Sequence, residues 1–435
     1  MLSKRAMNIR TNERGPITLT DIACVLLAVY YTWYSLPFMR ITFKSSLYKT
    51  MFFGCFAIGA ILLLVAQFGR YEFVISLSRG RNLLICVLPY MTIMTIFYIF
   101  DIGDASRHIR VSFTFWGTAL IYALLSIDKK AQIRFGKYLA FLFCLTALTT
   151  VTGVFSDSSV ARAIANASQR EENVARDYTL MRKNISGVYL FQCLTILAPV
   201  TIIGIRQHKR RFLYAVGLLF IVVAIIKGSF TISLLVLAVS CGVALASNRR
   251  IPAAIILTLV VLILLLMPLD SLFKYLADAI RNHYISERLN EIASFFSGAT
   301  LYGDMKKRAL CYMYSIRTFA QNPLGTGAWY SYVVGRNGIG YHSEILDDMA
   351  RYGIAAIAFY LAFFVAYYQM LKGQWGKINL AGVAFPICVT YFLLLLLNVG
   401  FRSADESIFM LYILLILPEI FVQPQKDCAV RLQKE

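Results

Sequence analysis

The segment YHSEILDDMARYG, residues 341–353, places a histidine, three carboxylates and an arginine at the start of a long apolar run. Histidine is the side chain whose unperturbed pKa lies nearest neutral pH, so His342 is a candidate general base. Upstream, GDMKKRALCYMYSIRTFAQNP (303–323) carries three consecutive cations, Lys306, Lys307 and Arg308. On a helix, consecutive residues fan around the circumference, so one of the three must face inward. Arg308 shares a stripe with Tyr312 and Ser315 at helical spacing, a polar and aromatic face suited to a sugar or a phosphate. The same cations would equally serve by snorkelling among lipid headgroups. If Ser343 is an N-cap, Glu344, Asp347, Asp348 and Arg351 fall on neighbouring faces of the helix that follows. Acids in a first turn also complement the helix dipole, a role that needs no chemistry.

What must position these residues is a membrane bundle. The 435-residue chain is 59% hydrophobic and only 15% charged, with a mean hydropathy of +0.65, whereas a soluble domain carries about a quarter charged residues. The composition therefore predicts an all-α polytopic membrane protein forming a single transmembrane domain over residues 1–435. A spanning helix needs roughly 20 apolar residues, and about twelve such runs are present. They lie near 18–39, 49–68, 83–100, 111–127, 138–155, 185–205, 212–226, 232–247, 251–267, 350–371, 379–398 and 406–422. Only KGSF separates the seventh and eighth, which reads equally well as a bent pair. The spans are almost free of ionisable groups, and no internal repeat of the kind found in transporters is visible.

Every second connection is basic: the N-terminal segment with Lys4, Arg5, Arg10 and Arg14, then RYEFVISLSRGR, DKKAQIRFGK, RQHKRR, NRR and KGQWGK. The excess of Lys and Arg assigns these to the cytoplasm, with both termini inside and the first run an uncleaved span. Two outer connections are large, 156–184 and 268–342. The net charge of +20 is informative here, because the outer loops hold nearly as many cations as the inner ones. Beside simple solubility, that is what an outward cavity for a phosphate or diphosphate requires. The longer loop contains an amphipathic stretch, SLFKYLADAIRNHYISERLNEIASFF, with Arg288 on it, followed by a helix through 304–320 that ends at QNPLGTG. Eight of the nine cysteines lie in predicted spans or the C-terminal tail, so no disulfide framework is predicted.

MKKRALCYMYSIRTFAQNPLGTGAWY, followed after a glycine-containing loop by YHSEILDDMARYGIAAIAFYLAFF, resembles the signature of the bacterial O-antigen polymerase and ligase superfamily. In that family an arginine opens a helix ending in Asn-Pro-Leu-x-Gly-x-Gly, and a histidine then opens the next span. Arg308, Asn322 to Gly327, His342 and Gly353 match. The topology agrees along the whole chain, while the motif covers about 50 residues. The polymerase (Wzy) branch also places an arginine about ten residues before a glycine in each of two outer loops, and Arg176 with Gly187 and Arg317 with Gly327 reproduce those spacings. Ligases usually have His-Asn where this chain has His342-Ser343, and Ser-Arg where Lys227 stands in KGS. Both departures favour polymerase over ligase.

The resemblance implies a GT-C-like, inverting, metal-independent glycosyltransferase of the bacterial inner membrane, with its site facing the periplasm. Its donor and acceptor would be undecaprenyl-diphosphate-linked oligosaccharides, with a chain-length regulator as a further partner. The product would be O-antigen or a related capsular polysaccharide or exopolysaccharide. No nucleic acid and no cofactor is implied. His342 would take the acceptor proton and Arg308 would stabilise the departing diphosphate. Arg176, Arg317, Lys227, Arg288, Tyr312 and Glu344 are the candidates for binding substrate. An O-antigen ligase acting on lipid A core, or a lipid-linked sugar flippase, stands as the alternative.

Overall fold

A computed structural model describes residues 17–67, 90–97, 99–100, 105–126, 128–156, 179–228, 230–247, 269–280, 283–297, 303–327, 339–400 and 404–419. All regular structure among them is helical. In chain order the helices are α1 (Leu19–Ser35), α2 (Pro37–Thr42), α3 (Ser46–Gln67), α4 (Ala105–Leu125), α5 (Lys129–Ser156), α6 (Val188–Gln207), α7 (Arg211–Gly228) and α8 (Thr231–Ala246). They continue with α9 (Leu269–Ala279), α10 (His283–Phe296), α11 (Gly303–Gln321), α12 (Glu344–Tyr352), α13 (Ile354–Gly376), α14 (Ala384–Leu397) and α15 (Ala404–Ile408). A π-helical turn, Phe409–Ile413, extends α15. The run at 251–267, the segment 157–178 with Arg176, and the side chain of Arg288 lie outside the described residues.

Among the described residues, α3, α5, α6, α7 and α13 are long and apolar enough to cross a bilayer. Their outward faces carry large apolar side chains: Phe53, Ile58, Ile61 and Val65 on α3, and Phe212, Leu213, Leu219 and Phe220 on α7. Water would not tolerate so extended a greasy surface, and lipid does. The buried member is α6, enclosed by α7, α8, α14 and α15. Beside it an aromatic core of Tyr31, Phe115, Trp116, Phe359, Phe363, Tyr367 and Tyr412 joins α1, α4, α13 and the π turn. That turn loosens the backbone ladder, and the Met410 carbonyl accepts from the Tyr367 hydroxyl at 2.8 Å.

Two expected spans, the first and the tenth, take a different course, and the open question over the seventh and eighth is answered. The first breaks at Leu36 because Pro37 supplies no amide proton and starts α2 instead. The seventh and eighth are two helices, α7 and α8, each packed on α6. The tenth is interrupted at Gly353: α12 is a short separate helix, and the long apolar helix begins only at Ile354. The amphipathic stretch before α11 is likewise two helices, α9 and α10, packed on each other.

Antiparallel passage gives the bundle two chemically distinct ends. At one, basic connections among the described residues gather: Arg134 Nη2 lies 2.9 Å from Asp21 Oδ1, and Lys129 and Lys377 both reach Glu419. At the other, α5, α14 and α2 end while α6, α13 and α15 begin. There Thr149 Oγ1 donates to the Asn184 carbonyl at 2.7 Å and Ser186 Oγ donates to Asp405 Oδ2 at 2.7 Å. The helix α12 lies at this second end.

Candidate active site

The stretch that drew attention in the sequence forms α12, and Ser343 is its N-cap: Oγ accepts from Leu346 N at 3.1 Å. The cap hydroxyl also donates to the Leu395 carbonyl at 3.4 Å, and Glu344 N donates to Asn398 O at 3.1 Å. The N-terminus of α12 is thus fastened to the C-terminal end of α14. Its charged residues are not solvated at a membrane boundary. Glu344, Asp347, Asp348 and Arg351 are each no more than 1% exposed.

Each carboxylate has its own donors, as buried charge requires. Asp348 accepts from Arg351 Nη1 at 2.8 Å, from the Tyr90 hydroxyl at 2.5 Å and from the Tyr360 hydroxyl at 2.9 Å. Asp347 accepts from Ser315 Oγ at 2.6 Å, and the same serine oxygen accepts from Gly340 N at 2.9 Å. Glu344 Oε2 accepts from Gly400 N at 3.1 Å. The Arg351 guanidinium also lies 5.7 Å from the centre of the Tyr341 ring, within cation–π range.

The NPLGTG turn closes the other end of α12. Thr326 N donates to Ala350 O at 3.1 Å, Gly327 N to Arg351 O at 2.8 Å, and Ile354 N to Pro323 O at 2.9 Å. The first two satisfy carbonyls that the C-terminus of α12 leaves open, and the third ties the start of α13 to the turn. Gly325 and Gly353 meet face to face with positive φ, +91° and +64°. A Cβ on Gly353 would stand 2.1 Å from Pro323 O, and one on Gly325 would stand 2.3 Å from Arg351 O. Only glycine fits either position, so this part of the signature is a clip that locks α11 to α12 and the start of α13.

On α11 the Arg308, Tyr312 and Ser315 stripe turns inward as its spacing predicts. Tyr312 donates to Leu397 O at 2.8 Å, and Arg308 Nη1 approaches the same carbonyl at 3.5 Å. Burial pushes the Tyr312 phenol up from its usual range, against the pull of the Arg308 charge. Burial likewise raises the neighbouring Cys311 thiol, with Asp347 adding to the effect. Both groups therefore stay protonated at neutral pH. His342 is half-buried, immediately before the N-cap. The cationic segment and the histidine segment thus converge on one place, the last carbonyls of α14 at 395–398.

The other candidates are distributed differently. Arg317 is exposed on α11, two residues beyond Ser315 on another face, and makes no hydrogen bond or ion pair among the described residues. Its sequence partner Gly327 belongs to the glycine clip. Lys227 is exposed at the end of α7. Tyr312 commits its proton to Leu397, and Glu344 commits an oxygen to Gly400, so both act first as positioning groups. Sequence reading missed Tyr90 and Tyr360, whose hydroxyls look like any span tyrosine, and Asp405 and Glu406 at the start of α15. The last two had a visible signal, adjacent acids opening an apolar run. No protein-family model matches the chain, and no curated protein matches it.

Proposed function

We propose that the chain is an inner-membrane glycosyltransferase that polymerises undecaprenyl-diphosphate-linked oligosaccharide repeat units at the periplasmic face, making O-antigen or a related surface polysaccharide. The reading takes the bundle as about twelve spans with both termini cytoplasmic. The end carrying α12 then faces the periplasm. The observation that carries the reading is the convergence of Arg308 and the His342 to Glu344 segment on the α14 terminus.

In the reaction, an acceptor hydroxyl attacks the anomeric carbon of the donor sugar from the face opposite the diphosphate. The new glycosidic C–O bond forms as the bond to the diphosphate oxygen breaks, and configuration inverts. The hydroxyl proton passes to the neutral imidazole of His342, and the lipid diphosphate leaves as an anion against Arg308. A positioned guanidinium supplies charge stabilisation and a bidentate fork. The half-buried environment strengthens both effects relative to bulk water.

Replacing Arg308 by Ala is expected to lower polymerisation by about 10²- to 10³-fold, the usual loss for one transition-state donor. Membrane levels should be normal, and Arg308→Lys should restore only part because lysine lacks the fork. His342→Gln is expected to lose about 10²- to 10⁴-fold and to flatten the fall in rate expected of the wild type as pH drops through about 6.5, the ordinary imidazole value. The decisive assay is a gel of surface glycans from a strain lacking the protein. Lipid A core bearing a single repeat, or loss of the polymer altogether, supports polymerisation. Bare core with polymer stranded on its lipid would make the protein a ligase.

A further inference from the structure

The reaction scheme leaves Asp405 and Glu406 unused, although both are buried where α15 begins. Asp405 is accounted for: it accepts from Ser186, and the charge of Arg40 on α2 bears on it. Glu406 is only 1% exposed, and among the described residues neither of its carboxyl oxygens has a hydrogen-bond partner. Its Oε1 lies 2.9 Å from where a Cβ on Gly400 would stand. The amide of that same glycine donates to Glu344 Oε2 at 3.1 Å. Two carboxyl groups from different helices therefore meet at one glycine, both out of contact with solvent.

The titratable groups that bear on Glu406 are Glu344 from α12, Asp405 from its own helix, the Cys193 thiol from α6 and the Tyr391 phenol from α14. None is a cation. Among the described residues no three His, Cys, Asp or Glu side chains are grouped to hold a metal ion. A buried carboxylate without a donor is costly, and two carboxylates sharing one site do not both ionise.

We propose that Glu344 and Glu406 hold one proton between them, and that this proton fastens the 397–400 connection to α12. The inference rests on the reading of the site given above, in which that connection matters because Leu397 O receives Tyr312 and Arg308 while Asn398 O receives Glu344 N. Loss of the proton puts two negative charges at Gly400. Their repulsion pulls the connection away from α12 and disturbs the carbonyl that aligns Arg308. Glu406 is then a positioning residue, and its protonation sets an alkaline limit on activity distinct from the acidic limit set by His342.

The test uses the full chain in lipid nanodiscs. Infrared difference spectra across a pH titration should show a protonated-carboxyl C=O band that survives at neutral pH, far above the ordinary glutamate value of about 4.3. The band should vanish in Glu406→Gln and shift in frequency in Glu344→Gln, where Glu406 stays buried without a donor but has lost its carboxyl neighbour. In proteoliposomes given the lipid-linked repeat unit, the wild-type rate should fall on the alkaline side, and Glu406→Gln, whose amide donates without titrating, should lose that limb. Absence of the band from wild type, its persistence in Glu406→Gln, an unchanged band in Glu344→Gln, or its replacement by sodium at neutral pH overturns the shared proton. A wild type that shows the band but polymerises nothing leaves the proton standing and sinks the transferase reading.

Discussion

At the lysine-rich end of the bundle, Glu419 lies 2.6 Å from both Lys129 and Lys377, whose side chains remain 41% and 45% exposed. At the α12 end, Asp348 lies 2.8 Å from an Arg351 that is fully enclosed, with two tyrosine hydroxyls completing the shell. The first arrangement lets water share the load, so its charges are screened and replaceable. The second has desolvated both partners, and a buried pair of this kind adds little net stability over an apolar one. Its use is to hold one geometry, since any departure leaves a charge without its complement.

The largest expected effect follows directly. Arg351→Met removes the cation and leaves Asp348 buried with only hydroxyl donors, which should cost about 3–5 kcal/mol. Thermal unfolding of the purified protein would register it. Asp348→Asn together with Arg351→Met removes both charges and should recover most of that loss. A double variant no more stable than the single would mean that packing, not charge, dominates at this end.

The glycines sharpen the same contrast. Gly353→Ala forces a side chain into positive φ and against Pro323 O, a strain of about 1–3 kcal/mol before the clash is counted. Gly373, within α13 toward the lysine-rich end, has no atom within 4 Å of where a Cβ would stand. Gly373→Ala should therefore stabilise by roughly 0.5–1 kcal/mol through better helix propensity. Equal effects at the two positions would deny the clip its special role.

Local features of the α12 end were readable in the sequence because they depend on neighbours along the chain. Ser343 as N-cap, the Arg308, Tyr312 and Ser315 stripe, and the stop at Asn322–Pro323 all follow from helical spacing and capping. What connects distant segments was not readable. Gly353 was visible as a motif glycine, but why glycine must stand there shows only when Pro323 and Gly325 are seen against it. Asp348 finds Tyr90 across 258 positions, and no periodicity encodes that pairing. The reading of the acids as dipole-compensating first-turn residues captured the place of Glu344 and Asp347 on the helix. It did not capture that they are sealed from solvent, because burial is decided by α11, α13 and α14 together with Tyr90.

The smallest expected effect belongs to Lys377. Its ammonium also donates to Gln374 Oε1 at 2.7 Å, and Glu419 keeps Lys129 when Lys377 is gone. Half-exposed ion pairs are typically worth about 0–1 kcal/mol, so Lys377→Ala should shift stability by less than that, and Lys129→Ala likewise. The two together differ in kind, since they strip every lysine from a carboxylate whose side chain is only 8% exposed. The double variant should then cost more than the sum of the singles, with a coupling of about 0.5–3 kcal/mol. Unfolding measurements on the four proteins of that cycle decide the matter. Additive losses would show that Glu419 is served by water rather than by its lysines. A single loss as large as that of Arg351→Met would erase the distinction between the two ends.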